Sequence, residues 1–346
     1  MCNIAGYVGK KRAAPILMEM LKKEEGYDAG FYSGIATIHN GKIHYAKLTG
    51  DCSRLEMETN ALSLPGTIGV IHGRTQSGGG DKWAHPFVTE RNGEPILAYV
   101  ANGCAGIFKD RTEEYNALTE QMLNQGYSML SRDKGDCIRY QVLSDGSAVH
   151  MSDAMCQLIA RHMDEGADEV KAMERAFCQM PSEIVGLLLS LSQPNAITYS
   201  RINMPMFVGF CEHGAYIASS PTAFPTDAGE PQALHARSSG QLYANAYTVV
   251  PYEKPTMFVE PITPEIRCKA YETVLATLKQ GEPKIFPKVR KAVESLFPEG
   301  SCKPAALLAY EILYLLEKQG KLKIQTIRVA GVQDGLTAPK ILLSME

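Results

Sequence analysis

Cysteine is the second residue of this chain, in the opening run Met1-Cys2-Asn3-Ile4-Ala5-Gly6-Tyr7-Val8-Gly9. Once Met1 is removed, Cys2 carries a thiol nucleophile and, on the same residue, an α-amine that titrates near pKa ~8 and can act as its base. Such a residue needs no second catalytic base. Other polar groups stand where strands are expected to empty into loops. Arg74 and Ser77 lie in the glycine-rich run Gly73-Arg74-Thr75-Gln76-Ser77-Gly78-Gly79-Gly80, Asn102-Gly103 follows an apolar stretch, and Asp145 lies in Leu143-Ser144-Asp145-Gly146-Ser147. Taken singly, each has a plain structural explanation: a core cysteine at a strand start, a solvated arginine, an Asn-Gly turn, an aspartate capping a helix.

The elements that must carry these groups follow from hydrophobic periodicity. Residues 13–23 place Ile16, Leu17, Met20 and Leu21 at helical spacing. Residues 33–39 and 42–48 alternate in the manner of strands, and Asn40-Gly41 between them fits a type I′ hairpin turn. Strands over 67–72 and 95–101 deliver the Arg74 and Asn102 loops, and loops on a rigid scaffold are where chemistry is usually placed. Helices are expected over 112–125, 152–163 and 167–180, then strands over 184–191, 196–199, 206–211, 215–218 and 241–250. Antiparallel sheets too apolar to face water on both sides, with helices to cover them, give an α+β fold arranged as a four-layer αββα sandwich.

Prolines at 251, 255, 261 and 264 separate a main domain, 1–260, from a small domain, 261–346. The tail reads as three helices, near 265–280, 287–297 and 303–319, and two strands, near 322–330 and 338–345, turning at Asp334-Gly335. That order is winged-helix-like. Its basic excess is modest and no aromatic-interleaved basic stripe is present, so nucleic acid is not an expected partner. Packing on the main domain or contact in a homodimer is the expected role.

The chain has 346 residues, 45% hydrophobic and 21% charged, with net charge −3, an ordinary composition for a globular protein. Nine cysteines, scattered without a Cys-x-x-Cys pair or a Cys/His cluster at metal spacing, lead us to expect reduced thiols, a cytoplasmic location and no bound metal. Neither a signal sequence nor a membrane-length apolar run is present, so no membrane partner is expected.

Cys2 to Gly9, Gly26-Tyr27-Asp28, His72-Gly73-Arg74, Ala84-His85-Pro86, Asn102-Gly103 and Ser144-Asp145 together resemble class II glutamine amidotransferase domains. The nearest pattern is the glutaminase half of glucosamine-6-phosphate synthase, and the likeness covers roughly residues 2 to 255. The resemblance implies an N-terminal nucleophile hydrolase fold, glutamine as substrate and no cofactor. It makes Cys2 the nucleophile, with the Asn102 side chain and the Gly103 amide as the oxyanion site. It assigns Arg74 to the substrate α-carboxylate, Asp145 to the α-ammonium and Ser77 to a hydroxyl contact with the substrate. Departures accompany it: Glu25 stands where the family has arginine, residues 29–32 read as a short insertion, and the 73–80 loop lacks the family's tryptophan and second histidine. The expected ammonia acceptor is a separate subunit, or ammonia leaves free. Two other readings use the same residues: an N-terminal nucleophile hydrolase of another amide, and a non-catalytic module that binds glutamine-like ligands.

Overall fold

The computed structural model describes residues 2–103, 111–134, 141–181, 183–254 and 257–346. In chain order, the strands of the first half are β1 (Asn3–Gly9), β2 (Tyr32–His39), β3 (Lys42–Thr49), β4 (Ile68–Arg74), β5 (Phe87–Arg91), β6 (Glu94–Gly103), β7 (Gln141–Val142) and β8 (Ala148–Val149). The rest are β9 (Glu183–Ser190), β10 (Ile197–Arg201), β11 (Phe207–Cys211), β12 (Gly214–Ala218), β13 (Gln232–Ala233), β14 (Ser238–Leu242), β15 (Val250–Pro251), β16 (Leu322–Ala330) and β17 (Thr337–Met345). A seven-stranded sheet runs β13-β11-β12-β1-β4-β2-β3, and a six-stranded sheet runs β15-β14-β10-β9-β6-β5.

Period-two alternation sorts the strand residues between separate cores. Ile4 and Val8 of β1 join Val70, Val100, Leu187 and Ile217 in the layer between the sheets, whereas Ala5 and Tyr7 face the opposite way. On that outer side lies α1 (Ala13–Glu24), with Leu17 and Leu21 in the same core as Ala5 and Tyr7. The other sheet turns Leu97, Tyr99 and Leu188 toward α4 (Met151–Asp164) and α5 (Glu169–Gln179), which follow α2 (Cys52–Glu58) and α3 (Thr112–Asn124) in the chain. The result is the expected four-layer αββα sandwich.

Local expectations meet the structure unevenly. Asn40 and Gly41 both take positive φ, 49° and 71°, as a type I′ turn requires. The expected strand over 241–250 is instead a hairpin. Tyr243 N–H donates to Ala246 O at 2.8 Å and Thr248 N–H to Gln241 O at 2.9 Å, so the chain doubles back and β15 pairs with β14. Helix α2 was not expected from periodicity; Asp51 caps it, accepting from Arg54 N–H at 2.9 Å.

After residue 260 come α6 (Pro264–Lys279), α7 (Phe286–Glu294) and α8 (Ala305–Lys318), then the β16–β17 hairpin. These elements share one continuous core with α1. Tyr310 of α8 stacks on Phe286 at 4.2 Å and meets Tyr27 edge-on at 5.6 Å. Ile341 N–H donates to Gly26 O at 2.8 Å, and Arg328 pairs with the buried carboxylate of Asp51 at 2.6 Å. The tail is thereby fastened to the 25–30 loop and to the start of α2.

Candidate active site

The alternation that builds the inter-sheet core also aims the polar groups at its end. Ile4 and Val100 point between the sheets, so residues two positions away, Cys2 and Asn102, start on that same side. Asn102 Nδ2 donates to Cys2 O at 3.4 Å, joining the start of β1 to the end of β6 in the opposite sheet. Asn102 is buried and Cys2 partly open. A shift in β6–β9 pairing falls between Asn102, opposite Val185, and Gly103, opposite Glu183, so the extra residue of the bulge lies on β9. In the β1–β4 ladder Asn3 sits opposite Gly73, so continuing the register by one residue brings Cys2 beside Arg74. Met1 lies outside the described residues.

Arg74 is 1% exposed and its guanidinium is gripped by its own loop. It donates to Trp83 O and Gly78 O, each at 3.0 Å, and lies 4.3 Å from the Tyr32 ring centre. Tyr32 Oη in turn donates to Gly79 O at 2.9 Å. Gly79 has φ +83°, and a Cβ there would come within 2.4 Å of Trp83 Cγ, so only glycine lets the loop fold onto this indole. Trp83 itself is 1% exposed, packed beneath this loop. Ser77, half-buried, turns its hydroxyl inward to Thr75 O at 3.2 Å.

Behind the loop stand three buried histidines: His72 and His85, which fall within the motifs of the family resemblance, and His150, which does not. His72 and His85 stack at 3.8 Å, and His85 and His150 meet edge-on at 5.3 Å. His72 Nε2 donates to Ala101 O at 2.9 Å, directly before Asn102, and His150 Nδ1 accepts from Ser152 N–H at 3.1 Å, capping α4. Burial pushes His72 down to about 3 and carries His85 and His150 well below the ordinary imidazole range. All three are neutral at pH 7 and serve as packing for the Arg74 and Asn102 segments.

This trio predicts a pH effect. In the unfolded chain the imidazoles titrate near pKa ~6.5, whereas in the folded chain they resist protonation, so stability must fall as pH drops below that value. Each contributes up to about 1.4 kcal/mol per pH unit. Urea unfolding between pH 4.5 and 7 should show this slope, reduced by roughly one proton's worth in His85→Phe. An unchanged slope in that variant would place the acid sensitivity elsewhere.

Asp145 is set apart from this arrangement. It lies on the exposed turn between β7 and β8, ion-paired with Arg132 at 2.6 Å and accepting from Ser147 N–H and Oγ at 2.9 and 2.6 Å. These contacts, the Ser147 hydroxyl first, hold its carboxyl well below the usual range. Among the described residues none of its hydrogen bonds or ion pairs reaches Cys2, Arg74 or Asn102. A cavity of ≈ 220 Å³ does adjoin the arginine loop, lined by Tyr27, Asp28, Thr75, Gln76, Pro287 and Lys340, and so shared with the tail.

The two-sheet sandwich with helices on both outer faces, and a cysteine at the head of a central strand, is the N-terminal nucleophile hydrolase fold. Glutamine phosphoribosylpyrophosphate amidotransferase from B. subtilis shares that fold, with a TM-score of 0.58 over 94% of this chain and 66% of its own, at 15% identity. More particularly, the chain is a sequence relative of glutamine–fructose-6-phosphate aminotransferases [isomerizing]. It is 27% identical over 227 residues to that of Bartonella quintana, covering 64% of this chain and 32% of the relative. To that of Methanosarcina acetivorans it is 30% identical over 234 residues, covering 65% and 33%. The chain spans about a third of the length of these curated relatives. No family model matches it. Among the described residues, no helix is long and apolar enough to cross a membrane.

Proposed function

We propose that the chain hydrolyses glutamine through Cys2, releasing ammonia. The observation that carries this reading is the approach of Cys2 to Asn102 from opposite sheets, with Arg74 in register beside it. The freed α-amine takes the thiol proton as Sγ attacks the carboxamide carbon of glutamine. The resulting oxyanion accepts from Asn102 Nδ2 and the Gly103 amide, and collapse expels ammonia, protonated by the same amine. Water then cleaves the γ-glutamyl thioester to give glutamate and restore the thiol.

Arg74 takes the α-carboxylate once its loop releases the guanidinium from the Gly78 and Trp83 carbonyls, a two-pronged contact that fixes orientation as well as charge. Ser77, whose hydroxyl donates to Thr75 O, supplies a hydroxyl to the substrate from the same loop. Assigning the α-ammonium to Asp145 requires that carboxylate to leave Arg132. Ammonia goes to a separate acceptor subunit or to solvent, and the protein acts in the cytoplasm without a cofactor.

The test is glutamate and ammonia production by protein whose Met1 is shown by mass to be absent; no turnover above background would refute the reading. In the same assay Arg74→Ala should raise KM by about 10- to 100-fold, the worth of one charge-assisted carboxylate contact. An unchanged KM would remove the arginine from the substrate site.

A further inference from the structure

At the end of β1 remote from Cys2, the tight turn from β11 into β12 places Cys211 and His213 two residues apart. The 225–229 loop, tied down by Gly229 N–H donating to Phe210 O at 2.7 Å, lays Asp227 over them. One atom from each of Cys211, His213 and Asp227 lies within 4.8 Å of the other two. His213 Nε2 is 2.8 Å from Asp227 Oδ2. Tyr216 Oη closes the group, 3.1 Å from Asp227 Oδ1, 3.3 Å from His213 Nε2 and 3.4 Å from Cys211 Sγ.

The other face of His213 is fixed by a residue the proposed reaction does not use. Tyr7 donates its one hydroxyl proton to His213 O at 2.9 Å and accepts from Lys11 N–H at 3.2 Å. Toward His213 Nδ1, also at 2.9 Å, the hydroxyl can therefore only accept, so Nδ1 carries the hydrogen. In the neutral ring this leaves the Nε2 lone pair facing the Asp227 carboxylate, with the Cys211 sulfur within 4.8 Å, and either a proton on Nε2 or a metal ion between the donors relieves that approach. Holding the far ring nitrogen is how proteins orient a metal-binding histidine. Gly9 makes the arrangement sterically feasible, since a Cβ there would come within 2.2 Å of both Tyr7 Oη and His213 O.

The geometry points to a divalent-metal site formed by Cys211 Sγ, His213 Nε2 and an Asp227 carboxylate oxygen. Sulfur, imidazole and carboxylate donors together select a borderline-soft ion of the Zn²⁺ type. Tetrahedral coordination with bonds of about 2.0–2.3 Å needs donors roughly 3.3–3.6 Å apart. The exposed Asp227 side chain can supply the adjustment, and water completes the shell. Binding forms the three metal–donor bonds and releases one proton, from the Cys211 thiol, to solvent; no electron moves. Tyr7 lies five residues beyond Cys2, about 17 Å along an extended strand, so the site is distinct from the glutamine centre. Asp227 is remote in sequence and Cys-x-His is not a standard ligand spacing, so the site has no signature in the sequence.

The test is a Co²⁺ titration of chelator-stripped full-length Cys2→Ala protein, a background in which the N-terminal amine and thiol cannot chelate the ion together. One equivalent should bind with Kd of about 1 μM or below and produce a thiolate-to-cobalt charge-transfer band. Cys211→Ser should abolish the band, Asp227→Asn should weaken binding, and Tyr7→Phe should retain the band while lowering affinity about 10- to 100-fold. Circular dichroism would confirm that each variant is folded. No stoichiometric binding, or a band that survives in folded Cys211→Ser, would overturn the site.

Discussion

Cys2→Ala should abolish glutamine hydrolysis, a loss on the order of 10⁴-fold or more, because the nucleophile has no substitute nearby. The variant should remain folded. Cys2 precedes β1, is partly open to solvent and contributes its backbone carbonyl to the Asn102 contact, so removing the sulfur costs no more than about 1 kcal/mol of stability. Loss of turnover at an unchanged melting temperature separates chemistry from folding. Protein that retains Met1 should be equally inactive although its thiol is intact, since the blocked nitrogen can neither take nor return the proton. Activity in folded Cys2→Ala would contradict the nucleophile assignment.

Asn102→Ala should lower kcat by about 10²- to 10³-fold while changing KM little, because the lost donor acts on charge that develops only in the transition state. Its present partner, Cys2 O at 3.4 Å, is a long contact that substrate binding can replace. Asn102→Asp, nearly isosteric, should fare no better, since a carboxylate there opposes the oxyanion. A KM effect with kcat preserved would make Asn102 a substrate-binding group instead.

Legibility of the fold followed the range over which each signal acts. Alternation along β1 and β6 is local, and it suffices to place Ile4 and Val100 between the sheets and hence Cys2 and Asn102 on facing sides. The Asn40-Gly41 hairpin was legible because its turn requires two positive φ values that those residues tolerate. The 241–250 hairpin was not, since Asn245 is the one turn-favouring residue between Tyr243 and Ala246, with no glycine or proline beside it, and the reversal rests on backbone pairing. The site was legible as far as register carries it. Trp83 closing over Arg74, and the stacking of His72, His85 and His150, depend on how two sheets and a loop meet, which no local pattern encodes. Asp145 shows the converse: its place before α4 was readable, while its commitment to Arg132 arises from a turn that folds back on itself.

The central claim is that Cys2, with a free amine, is the group that attacks glutamine. Its most direct test is intact-mass and peptide analysis of Met1-free protein treated with an electrophilic glutamine analogue, with and without excess glutamine. The account predicts a single adduct on the N-terminal peptide, carried by Cys2 Sγ and suppressed by glutamine. An adduct on any other cysteine, or none in protein shown to lack Met1, would contradict it.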